Sequence, residues 1–133
     1  MVATHSGASD WKIIRLELAR TAGFPDGSPG RAFILRLPLF ADGLIDAAEV
    51  ARNPAMATVK RFWANEPDQQ GYVIRAGKTW AFSYEIGEDD DEKLFHLEAH
   101  PLLEGEYLTL TEPDGAQLPF RVTRVDSIDG IRP

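Results

Sequence analysis

The chain has 133 residues, 44% of them hydrophobic, and no cysteine, which excludes disulfides, thiolate metal sites and a cysteine nucleophile together. Its net charge of −7 is lopsided: residues 1–83 hold 10 Lys/Arg against 8 Asp/Glu, and residues 84–133 hold 4 against 13. An acidic surface of that extent repels a phosphate backbone and disfavours nucleic acid as a partner.

A single domain of this length buries roughly two-thirds of the surface its unfolded chain exposes, so it needs no staples. Lack of cysteine suits a reducing, cytoplasmic setting. No apolar run reaches the roughly 20 residues of a membrane helix, and Met1 to Asp10 has neither the basic start nor the apolar core of a signal peptide. The expected organisation is a mobile tail over 1–10, one β-rich domain over 11–126 and a second tail over 127–133. His5 falls in the first tail and takes no role.

From Trp11 to Arg20 the residues alternate, Ile14, Leu16 and Leu18 on one face and Ile13, Arg15 and Glu17 on the other, which predicts a half-buried strand. Thr21 to Gly30 holds three glycines and two prolines and reads as a loop. A phosphate cradle does not fit there, because Pro25 and Pro29 remove backbone donors and no Gly-Lys-Ser/Thr follows. Ala32 to Leu39 is a second strand with Phe33, Leu35, Leu37 and Leu39 on one face. Antiparallel pairing with the first strand would bring Arg36 near Glu17 on the outer face.

Asp42-Gly43 turns the chain. Asp46 with Glu49 three residues on predicts an N-cap and capping box for a short helix through about Arg52. Asn53-Pro54 ends that helix, since proline disfavours helical geometry in the residue before it. Met56 to Trp63 fits a strand with Val59, Arg61 and Trp63 on one face, but the same residues could also extend a helix. Lys60, Arg61, Phe62 and Trp63 together have the composition of a single-stranded nucleic-acid platform, but in an acidic protein they read better as a strand with snorkelling cations.

After a polar loop, Tyr72 to Arg75 and Thr79 to Ile86 form a tight hairpin with its turn at Ala76-Gly77. Gly77-Lys78-Thr79 imitates the end of a P-loop, yet five residues separate Gly77 from Gly71 where the motif needs four, and strands flank the turn. Trp80, Phe82, Tyr84 and Ile86 share one face. Large aromatics at period two either fill a small barrel or line a ligand cavity, with core filling favoured. Ser83 lacks the context of a nucleophile.

Glu88 to Glu92 reads as a solvated acidic loop, without the spacing or glycine of a calcium loop. Leu94 to His100 then places His96, Glu98 and His100 on one face of a strand, an imidazole and carboxylate pattern able to ligate a divalent metal. At about 3.3 Å per residue the two histidines stand about 13 Å apart, so a metal would need a neighbouring pair and ligands from another strand. Glu106 to Val125 is a hairpin turning at Pro113-Asp114-Gly115, with Leu108, Leu110, Leu118, Phe120 and Val122 apolar-side. Arg124 would share that side and meet an anionic ligand unless a bulge turns Val125 inward instead.

Seven or eight short strands with one short helix predict a mainly β protein, an antiparallel β-barrel or roll. No complete catalytic constellation is present. Two functions stay open: a non-enzymatic binding or interaction module, with Trp80, Phe82, Tyr84 and Arg124 as ligand residues, and a small metal-dependent hydrolase-like enzyme on His96, Glu98 and His100. No cofactor beyond that divalent metal is implied. The partners expected are a small molecule, another protein, or a second copy of the chain paired along an open strand edge.

Overall fold

The computed structural model describes residues 9–76, 79–84, 92–94, 101–111 and 115–128. Antiparallel strands follow one another around a ring: β1 (Asp10–Leu18), β2 (Ser28–Leu39), β3 (Thr58–Trp63), β4 (Gln69–Ala76), β5 (Thr79–Ser83), β6 (Glu92–Leu94), β7 (Tyr107–Thr111) and β8 (Gln117–Ser127). β8 pairs back onto β1 and closes the barrel. One helix, α1 (Ala47–Arg52), and a 3-10 turn at Pro54–Met56 connect β2 to β3. The chain is thus mainly β, as its alternating pattern predicts. Among the described residues no helix is long and apolar enough to cross a membrane.

Seven of the strands have five residues or more, and three residues of β6 are described. Among its described residues, Lys93 and Leu94 of β6 pair with Thr111 and Leu110 of β7, and on the other side Glu92 to Leu94 pair with Phe82 to Trp80 of β5. The strand expected from Leu94 onward lies beyond Leu94 outside the described residues, as does the acidic run from Glu88 to Asp91.

Inward positions follow the period of two. Ile14, Leu16 and Leu18 of β1, Phe33, Leu35, Leu37 and Leu39 of β2, and Leu108, Leu110, Phe120 and Val122 of the β7–β8 hairpin are all buried. Phe33 stands at the centre of an aromatic cluster, 5.1 Å from the rings of Phe82 and Phe120 and 5.5 Å from Trp63. Eight strands enclose a space that side chains can fill, and these rings occupy it.

Two bulges shift what alternation alone suggests. Glu17 pairs with Ala32 but Leu18 pairs with Ser28, so β2 begins four residues before the start expected at Ala32. The extra residues break the two-residue period and make the strand's opening read as loop. The same register puts Arg36 opposite Ile13, not Glu17; Glu17 instead takes the guanidinium of Arg15 at 2.7 Å. In β8, Arg15 pairs with Arg124 and Leu16 with Val122, leaving Thr123 as the bulged residue. Val125 consequently packs on the core.

Candidate functional site

β2 ends, β3 begins, β4 ends and β5 begins at one end of the barrel, and α1 lies across that end. Its N-cap is Asp46, whose carboxylate accepts from the Glu49 backbone N–H at 3.1 Å and from the Ser9 hydroxyl at 2.8 Å. The capping box forms only in this half. The backbone N–H of Asp46 goes to the Pro38 carbonyl, so the Glu49 carboxylate serves other donors: Arg52 at 2.6 Å, Asn53 Nδ2 at 3.0 Å and the Trp11 indole N–H at 3.3 Å. These bonds, the Arg52 bond first, hold the Glu49 carboxyl below its ordinary value of 4.5, against the opposing effects of burial and of Asp46. Trp11 thereby ties the helix to β1, and the Val73 N–H bonded to the Ala57 carbonyl ties the chain after the 3-10 turn to β4.

Between this anchored segment and the ends of β4 and β5 runs an open groove of about 640 Å³. One wall is small and apolar: Ala47, Val50 and Ala51 on one side of α1, then Pro54 and Ala55. The other wall carries Tyr72, Ile74 and Trp80. Tyr72 is 50% exposed and Ile74 38%, a high exposure for neighbouring apolar side chains on one strand face. Arg75 is the one charged residue among the described residues that line the groove.

Trp80 is 1% exposed, and its Nε1 has no hydrogen-bond partner among the described residues. A buried N–H left unpaired costs about 1–3 kcal/mol, and buried indoles usually find an acceptor. The Arg75 guanidinium lies over the same indole, 5.2 Å from the ring centroid. Arg75 and Trp80 are direct cross-strand neighbours in the β4–β5 register, which explains the contact.

The ligand residues expected from sequence are dispersed. Trp80 lines the groove just described, whereas Phe82 is fully buried within the aromatic cluster. Tyr84 is half-buried, packs on the core and lines a second groove of about 470 Å³, where Arg36, Lys60 and Tyr72 also contribute. Arg124 is turned outward by the Thr123 bulge and pairs with Asp126 at 2.6 Å, its side chain 68% exposed. His96, Glu98 and His100 lie outside the described residues. Among the described residues no group of three His, Asp or Glu could hold a metal ion.

The basic and aromatic cluster of β3 divides between two faces. Arg61 stacks 4.0 Å over Trp63 and pairs with Glu66 at 3.2 Å, while Lys60 lies 5.1 Å over Phe62. Arg31 adds a second guanidinium to the Trp63 ring at 5.3 Å. These cations cover their own aromatic neighbours, as snorkelling side chains do.

The groove residues that sequence reasoning passed over are Ala47, Ala51, Pro54, Ala55, Tyr72 and Ile74. A signal for them exists in the outward-facing Tyr72 and Ile74 of a strand whose other face carries Val73, and in alanines four apart on the helix. No protein-family model, curated protein or solved structure matches the chain.

Proposed function

We propose that the protein is a non-enzymatic binding module that holds a small, largely apolar ligand in the groove between α1 and the β4–β5 hairpin. The observation that carries this reading is an apolar concavity of about 640 Å³ lying beside a barrel interior already filled by Phe33, Trp63, Phe82 and Phe120. Its volume falls in the range of about 300–1,000 Å³ typical of small-molecule sites, and apolar walls with few polar groups are the usual lining. The ligand therefore sits at the barrel's end, against the helix, and the core stays closed.

A ligand that binds only the folded chain stabilises it by about 2.7 kcal/mol at one hundred times its dissociation constant. Naphthalene-based probes at saturating concentration are expected to raise the thermal midpoint. Ala51→Glu and Ile74→Asp, which place charge in the groove at exposed positions, are expected to abolish the rise while leaving the unliganded midpoint nearly unchanged. Probe stabilisation that survives both substitutions puts the ligand elsewhere and ends this reading.

A further inference from the structure

We propose that the outer face of β1 to β4 carries a second, separate site, which binds a small organic phosphate monoester between Arg36 and Lys60. Among the described residues it shares only Tyr72 with the groove against α1, and it stands without that groove.

Strand register brings the two cations together. Arg36 of β2 pairs with Thr58 of β3, and Lys60 lies two residues further along β3, opposite Ile34. Same-face neighbours on such a diagonal are about 7–8 Å apart, so both side chains reach one anion. Ile13 stands beside Arg36 on β1 and Tyr72 beside Thr58 on β4, which completes a row from an apolar side chain to an exposed ring. These residues line the groove of about 470 Å³, whose described lining holds two cations and no carboxylate. Its volume is that of a small-molecule site.

Charge is the observation that carries the proposal. In a chain with 21 Asp/Glu, cations readily find one: Arg15 pairs with Glu17, Arg52 with Glu49, Arg61 with Glu66 and Arg124 with Asp126. Arg36 and Lys60 have no ion pair among the described residues, although both are half-buried and stand side by side. Like charges so placed repel, more strongly as water is excluded, and a bound dianion removes the repulsion. β1 to β4 also belong to the half of the chain in which Lys/Arg outnumber Asp/Glu, 10 to 8. A single small phosphate meets that half alone, whereas a nucleic-acid backbone runs on to the acidic half.

A phosphate monoester carries close to two negative charges near neutral pH and accepts several hydrogen bonds at once. Arg36 supplies a fork of N–H donors and Lys60 a movable point charge. The Lys60 ammonium rests 5.1 Å over the Phe62 ring, a weaker contact than a charge-assisted bond to a dianion, so the anion draws it across. Ile13, Ile34 and Tyr72 give the body of the ester an apolar surface to lie on.

The test is calorimetric titration of the full chain at pH 8 with phenyl phosphate, phenyl sulfate, phenol and inorganic phosphate. Phenyl phosphate should bind about tenfold more tightly than phenyl sulfate, which has the same shape and one charge fewer, and than inorganic phosphate, which lacks the ring. Phenol should bind weakest. Arg36→Gln and Lys60→Gln should each weaken phenyl phosphate about tenfold with little change in thermal midpoint, and Arg36→Lys should keep part of the affinity. Lys12→Gln removes the same charge at a position outside the groove's described lining and should leave the affinity unchanged. Absence of phenyl phosphate binding, an affinity matched by phenol or inorganic phosphate, or an affinity unchanged in both glutamine variants overturns the proposal. An equal loss in Lys12→Gln reduces the effect to net charge and overturns it as well.

Discussion

Gly71 shows how much a single position can fix. A Cβ built there would collide with the carbonyl oxygen of Ser83 and stand 2.7 Å from the Tyr84 Cα, both backbone atoms that no rotamer change can move aside. The conformation itself needs no glycine; the close approach of β4 to the chain leaving β5 does. Gly71→Ala is therefore expected to force the two segments apart and to cost about 3 kcal/mol, the upper part of the usual range for overpacking. Urea unfolding measures it, and an unchanged midpoint would show that the strands part without penalty. The sequence places Gly71 at the end of a loop just ahead of the strand expected from Tyr72, whereas it lies inside β4, and what it faces could not be read because that depends on register. Arg124 is similar: its outward path and the inward Val125 were one of two readings of the pattern, and the bulge at Thr123 decides between them.

At the scale of elements, α1 is too short to be stable alone, since helices below about 12–15 residues are marginal in water. Its position comes from side-chain anchors, chiefly Glu49, which joins Arg52, Asn53 and Trp11. The Glu49 carboxyl is lowered in the folded chain by these donors. A lowered carboxylate contributes stability that is fully present above its ordinary value of 4.5 and is lost as pH falls through the lower folded value. Wild type should thus exceed Glu49→Gln in thermal midpoint near neutral pH, and the gap should narrow below about pH 4.5. A gap that stays constant down to pH 3 would mean that the carboxylate charge does not anchor the helix. The helix itself was legible from Asp46, Glu49 and Asn53-Pro54. Its role as a groove wall was not, because the opposing residues, Tyr72 to Trp80, come about 25 positions later, and hydrophobic periodicity carries no information across that gap.

For the whole molecule, the same distinction separates what alternation encodes from what closure decides. Strand faces repeat every two residues, so β1, β2, β7 and β8 and their buried sides could be read directly. Whether the sheet closes depends on the pairing of β1 with β8, more than a hundred positions apart. Closure also bears on self-association: β1 and β8 pair with each other along most of their length, so neither offers the other's edge to a second chain for strand addition. β1 is flanked for most of its length by β2 and β8, both long, whereas the six residues of α1 sit outside the ring of strands. Segments with few paired residues exchange their amides well below the free energy of global unfolding. Native-state hydrogen exchange followed by NMR should therefore show the α1 amides exchanging at least about tenfold faster than those of Ile14 and Leu35. Because the groove lies between α1 and the β4–β5 hairpin, a bound ligand should slow exchange in α1 more than in β1. Equal protection of α1 and β1 in the unliganded chain would instead make helix and barrel a single cooperative unit.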